Sequence, residues 1–100
     1  MRTIWKFPIP IQDDIIEVSM PKHAEIVHVA WKGGQLCLWA IVETESVKGY
    51  ESTEIRKFRV RGTGHEIKPN VNTGYNTYDT YVGTAPVDGL PLVWHVFEVK

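Results

Sequence analysis

The sequence predicts an all-β protein, a single small antiparallel sandwich or partly closed barrel of about seven short strands. Period-two patterns dominate, and the apolar runs are rich in β-branched and aromatic residues, as in Ile26-Val27-His28-Val29-Ala30-Trp31. Two such runs flank Gly33-Gly34, which is the strongest hairpin signal in the chain. No segment carries the 3.6-residue period of an amphipathic helix.

The first strand is expected over Thr3 to Phe7, ended by Pro8 and Pro10, since proline cannot donate to a ladder. The second runs from Ile15 to Met20, followed by a turn at Pro21 to His23. The Gly-Gly hairpin joins Ile26–Trp31 to Leu36–Val42. The run Leu36-Cys37-Leu38-Trp39-Ala40-Ile41-Val42 has no polar face, so it predicts a central strand covered on both sides or one whose outer face meets another subunit. Leu38 and Ala40 are expected in the core, as are most of the four tryptophans. A polar connection spans Glu43 to Thr53 and is tipped by Gly49. The fifth strand is Ile55 to Arg61. A long irregular stretch follows from Pro69 to Asp79, and a loop of that length usually serves function or motion. Tyr81 to Thr84, a turn region with Pro86, Gly89 and Pro91, and Leu92 to Val99 complete the set.

Composition bounds the function. The 100 residues make one domain, 1–100, and 43% hydrophobic with 23% charged residues excludes general disorder. A net charge of -1 argues against a partner as polyanionic as bulk nucleic acid. The single Cys37 excludes an internal disulfide framework and a cysteine-built zinc site, and it reads as an inert core thiol. No apolar run approaches the roughly 18 residues of a membrane span. Met1 to Lys6 lacks the apolar stretch of a signal peptide, so a soluble cytoplasmic protein is expected.

The most unusual local feature is Arg56-Lys57-Phe58-Arg59-Val60-Arg61-Gly62-Thr63-Gly64-His65. On a strand, Lys57, Arg59 and Arg61 share one face as a cationic row, while Arg56, Phe58 and Val60 share the other. The row runs into Gly62-Thr63-Gly64-His65, where glycines permit positive φ and successive amides can form an anion nest. Thr63, Gly64 and His65 are therefore candidate ligand-binding residues with Lys57, Arg59 and Arg61, because arginine offers forked donors suited to phosphate. Tyr78 or Tyr81, beside the long loop, is a candidate cover for a base. A solvated charged face and an ordinary turn are the commoner meaning of the same residues. The segment is neither a P-loop nor a dinucleotide fingerprint, since the required lysine or third glycine is missing.

Catalysis is not expected. His23, His28, His65 and His95 are too dispersed for a local metal site, and no metal or cofactor is implied. The His-x-Thr/Ser pattern of two-histidine phosphodiesterases is absent from His28-Val29-Ala30, His65-Glu66-Ile67 and His95-Val96-Phe97. His28 and His95 lie in apolar strands and read as structural histidines.

Several ordered motifs together resemble a family of small uncharacterised tailed-phage and prophage proteins. They are Thr3-Ile4-Trp5-Lys6-Phe7-Pro8, Met20-Pro21-Lys22-His23-Ala24-Glu25-Ile26, Gly34-Gln35-Leu36-Cys37-Leu38-Trp39-Ala40, Gly62-Thr63-Gly64-His65, Tyr81-Val82-Gly83-Thr84 and Leu92-Val93-Trp94-His95-Val96-Phe97-Glu98. The stretch Lys68 to Asp79 looks longer than is usual in that family. The resemblance implies a phage origin and supplies no activity. Accessory phage proteins of this size tend to act by occupancy. The expectation is a non-catalytic homo-oligomer in the host cytoplasm that sequesters a small anionic nucleotide, cyclic ones included, of a defence system. The alternative is an accessory protein that binds and inhibits a host protein.

Overall fold

The computed structural model describes residues 1–44, 53–65, 67 and 79–99. Seven antiparallel strands form two sheets: β1 (Arg2–Ile9), β2 (Ile16–Pro21), β3 (Glu25–Lys32), β4 (Gln35–Glu43), β5 (Thr53–Gly62), β6 (Thr80–Pro86) and β7 (Val93–Glu98). One sheet has the order β1-β4-β3 and the other β2-β5-β7-β6. The two are stacked as a sandwich and do not close into a barrel. All seven expected strands are present, with ends shifted by one or two residues.

One of the two-residue shifts is in β1, which continues through Pro8 to Ile9. β1 is an edge strand that pairs with β4 alone, and an edge tolerates a residue without an N–H. At the hairpin, Gly33 and Gly34 adopt φ of 61° and 77°, the left-handed pair a two-residue turn requires. The β2–β3 turn instead places a non-glycine residue, His23, at φ 65°.

Alternation builds the core. β4 is the central strand of its sheet and sends Leu36, Leu38, Ala40 and Val42 inward, all buried. They meet Ile16 and Met20 of β2, Phe58 and Val60 of β5, Ala85 of β6 and Val96 of β7, with Ile9 and Val29 from their own sheet. A fully buried side chain of this kind contributes about 1.5–3 kcal/mol. Trp39 and Ile41 point the other way and are only half-buried, so the outer face of β4 is apolar without a covering layer among the described residues. Cys37, also outward, is shut in between Pro8 and Ala30 on the flanking strands. The tryptophans depart from expectation, since none is fully buried: Trp31 and Trp94 pack on the core edge, Trp39 faces out beside His28, and Trp5 is 40% exposed on the edge strand. Indole is large, and a core this thin has no room to enclose it.

Edge strands β3 and β6 lie against each other across the sandwich, and each carries a bulge, at Val27 and Val82. The close approach rests on Gly83, where a Cβ would stand 2.7 Å from Val29 Cγ2. A second tie joins the sheets through Arg56, on the inner face of β5. Its Nε and one terminal nitrogen donate to the two carboxylate oxygens of Glu98, each at 2.7 Å, and its other nitrogen donates to the Ala24 carbonyl at the start of β3. The Glu98 hydrogen bond raises the Arg56 pKa, with burial opposing and the charges of Glu98 and Glu54 adding to the rise. A raised folded pKa stabilises below the unfolded value and is lost only as pH climbs past the folded one. The guanidinium side of the tie therefore stays charged across the whole neutral range.

Gly83→Ala is expected to lower stability by about 1–3 kcal/mol in thermal or urea unfolding, because Val29 must be displaced. Arg56→Met is expected to cost about 2–3 kcal/mol by leaving Glu98 and the Ala24 carbonyl partly buried without a donor. Adding Glu98→Met should recover part of that loss. A double variant no more stable than the single one counts against the pair as the source of the effect.

Candidate functional site

The outer face of the four-stranded sheet gathers the polar chemistry. Lys57, Arg59 and Arg61 share it, as alternation along β5 requires. Register then supplies their neighbours. Arg59 pairs with Phe97 and Arg61 with His95 on β7, and these in turn face Tyr81 and Thr84 on β6. His95 and Phe97 thus join the candidate residues, although β7 in isolation reads as an apolar strand.

The cationic row is not uniform. Lys57 is exposed and lies opposite Glu17 of β2. Arg59 is committed: its buried Nε is 3.1 Å from Asp79 Oδ2, close enough for an ion pair though outside hydrogen-bonding angle. Arg61 donates to its neighbour's carbonyl, Val60 O, at 2.9 Å and has no carboxylate partner among the described residues. Arg61 is therefore the arginine of the row with charge to offer a ligand.

At the end of β5 the chain turns. His65 N–H donates to Gly62 O at 3.1 Å, and Gly64 takes φ 93° at the third position of the turn. Gly62 serves a different purpose. Its N–H donates to His65 Nδ1 at 2.9 Å, and the imidazole lies so close that a Cβ on Gly62 would stand 3.0 Å from His65 Cε1. With Nδ1 accepting, the neutral ring carries its proton on Nε2, which is left as a donor. The expected nest of successive amides is corrected here. Gly62 N–H is taken by His65, Thr63 N–H by Val93 O at 3.3 Å and His65 N–H by Gly62 O. Only the Gly64 N–H lacks a partner among the described residues, because the turn closes on itself and on β7.

A hydrogen-bonded chain crosses the sheet beside this turn. Thr63 Oγ1 is 2.9 Å from His95 Nε2, and His95 Nδ1 is 3.0 Å from Thr84 Oγ1, which bonds the Tyr81 hydroxyl. Tyr81 also packs edge-on against Phe97, with ring centroids 5.7 Å apart. Arg61, Thr63, Gly64, His65, His95 and Phe97 line one hollow of about 230 Å³, with Gly62 and Ile67 completing its wall. Four expected site residues, Arg61, Thr63, Gly64 and His65, therefore meet. Tyr81 stands at the far end of the hydrogen-bonded chain, Lys57 and Arg59 lie further along β5, and Tyr78, like the rest of the 68–78 segment, falls outside the described residues.

Two larger hollows carry less chemistry. One of about 380 Å³ has Arg56 and Glu98 in its wall, already satisfied by each other. Another of about 400 Å³ mixes Arg2, Lys22 and His23 with Glu25 and Glu43. Of these three hollows, the one at the turn joins an unpaired guanidinium, an imidazole donor and a hydroxyl with no carboxylate among its described lining residues. No group of three or more histidine, cysteine or acidic side chains among the described residues has the arrangement of a metal site. No described helix is long and apolar enough to cross a membrane.

No curated protein matches the chain, and no solved structure matches it. One family does, with a model covering residues 1–100, and the chain belongs to it: Domain of unknown function (DUF7352).

Proposed function

We propose that this protein is a non-catalytic phage binding protein that sequesters a small anionic nucleotide, cyclic ones included, in the host cytoplasm. The observation that carries the proposal is the hollow where Arg61, Thr63, Gly64 and His65 meet beside Phe97 with no carboxylate among its described lining residues. A guanidinium supplies charge, a hydroxyl and an imidazole N–H supply directed hydrogen bonds, and an aromatic face adjoins them for a base. The phage assignment rests on the resemblance of the ordered motifs.

The same proposal includes a second copy of the chain. The outer face of the three-stranded sheet presents Ile4, Val27, Trp39 and Ile41 beside Lys6, Glu25 and His28, and twofold pairing is the commonest symmetry among homo-oligomers. β7 is a poorer interface, because it lies between β5 and β6 with Val96 committed to the core.

Calorimetric titration with cyclic dinucleotides, cyclic trinucleotides and cyclic ADP-ribose isomers tests the ligand. Binding by at least one is expected, with intact ligand recovered by mass spectrometry. Arg61→Ala should weaken it on the order of tenfold to a hundredfold, the worth of one charge-assisted hydrogen bond. Lys22→Ala, in the β2–β3 turn, should leave it unchanged. Recovery of a hydrolysed product would make the protein an enzyme, and absence of binding across the panel would favour a host protein as partner.

Light scattering is expected to report a dimer or a multiple of one, and Trp39→Glu to shift it toward 11.4 kDa. A single 11.4 kDa species for the wild type across a broad concentration range would count against the second copy.

A further inference from the structure

The chain Thr63–His95–Thr84–Tyr81 can carry its hydrogen bonds in either direction, and the direction decides what the hollow can hold. With the imidazole proton on Nδ1, His95 donates to Thr84 and Nε2 accepts the Thr63 hydroxyl proton. Thr63 then shows the hollow only a lone pair, which repels an anion. With the proton on Nε2, the sequence reverses. Tyr81 donates to Thr84, Thr84 donates to His95 Nδ1, and His95 Nε2–H donates to Thr63. The Thr63 hydroxyl proton is now free to point into the hollow, beside Arg61 and the Nε2–H of His65.

We infer that His95, Thr84 and Tyr81 form a donor relay that sets the polarity of Thr63, so that the hollow takes an acceptor-only phosphoryl oxygen and selects the Nε2–H tautomer of His95. This deepens the anion-binding proposal and rests on it. The relay begins at an exposed residue, Tyr81, and ends at the ligand without Tyr81 or Thr84 lining the hollow. Each donor in a chain strengthens the next by polarisation, which makes the two outer hydroxyls part of the affinity. His95 is thus a positioning residue that the apolar run Leu92 to Val99 concealed.

The two histidines then play separate parts. His65 has its tautomer fixed by the Gly62 N–H and presents a donor whether or not a ligand is bound. His95 sits between two hydroxyls, each able to donate or accept, so its tautomer is free to follow the ligand.

Nitrogen-15 NMR of the imidazoles in the full chain, with inorganic phosphate and adenosine monophosphate as probes, tests the relay. At saturation His95 should show a protonated Nε2 and an unprotonated Nδ1, and the signals of Arg61, Thr63 and His65 should shift. Thr84→Val keeps the shape of the side chain and removes the hydroxyl. It should abolish the tautomer selection and weaken binding roughly 3- to 10-fold, with Thr63 and Arg61 still in place. Binding with the proton of His95 on Nδ1, or unchanged affinity in Thr84→Val, overturns the relay and leaves the anion site standing. Absence of shifts at Arg61, Thr63 and His65 with either probe overturns both.

Discussion

β5 carries two requirements on one set of residues. Its inward positions, Arg56, Phe58, Val60 and Gly62, fill the sandwich, and its outward positions, Lys57, Arg59 and Arg61, form the charged face. Side chains alternate with a period of exactly two, so a one-residue slip would bury three cations and expose Phe58 and Val60 together. That cost fixes the register of β5 against both β2 and β7. Register against β7 then places His95 opposite Arg61, and register of β7 against β6 places Thr84 opposite His95. The site is a consequence of core packing, transmitted through two ladders.

The arginines illustrate how position separates identical side chains. Arg56, Arg59 and Arg61 lie within six residues of one another, yet each meets a different fate. Arg56 faces inward, where a charge is tolerated only with partners, and Glu98 with the Ala24 carbonyl provides them. Arg59 faces outward against Asp79, whose side chain is only 9% exposed. Arg61 is at the end of the strand, past the reach of either acid, and the turn brings donors to it instead of acceptors. A strand that pairs two of its arginines and leaves the third beside a hydroxyl and two imidazoles keeps one positive charge for the anion proposed to bind there.

Local patterns made the architecture legible. Glycine pairs, prolines and β-branched runs mark all seven strands, and alternation along β5 separated its two faces correctly. The turn at Gly62 to His65 was legible as a special conformation, but the division of labour between its glycines was not. Gly64 needs positive φ, whereas Gly62 needs the absence of a side chain under His65. Long-range pairing was not legible at all. Nothing near Arg56 in sequence points to Glu98, and nothing near His95 points to Thr63 or Thr84, because antiparallel ladders join residues far apart in the chain. Period two puts His95 and Phe97 on one face of β7, opposite Trp94 and Val96. With β7 set beside β5, that alternation would have been enough to bring the second histidine into the site.

The geometry also limits how much of a ligand this chain can hold alone. Its interior is filled by apolar side chains, so binding is confined to the outer faces and ends of the sheets. The hollow at the turn, about 230 Å³, is below the usual range of roughly 300–1,000 Å³ for small-molecule pockets. It suits a phosphoryl group better than a whole nucleotide. The remainder of a nucleotide anchored there must lie outside the hollow, over Phe97 and Tyr81, whose rings already meet edge to face. Edge-to-face packing leaves one ring face of the pair available for a base to stack on. A ligand with two phosphates would need a second donor cluster, and among the described residues this sheet face offers one unpaired arginine, Arg61. Pairing through the outer face of the three-stranded sheet sets the two hollows on opposite sides of the dimer, so each hollow would hold a phosphoryl group of its own ligand.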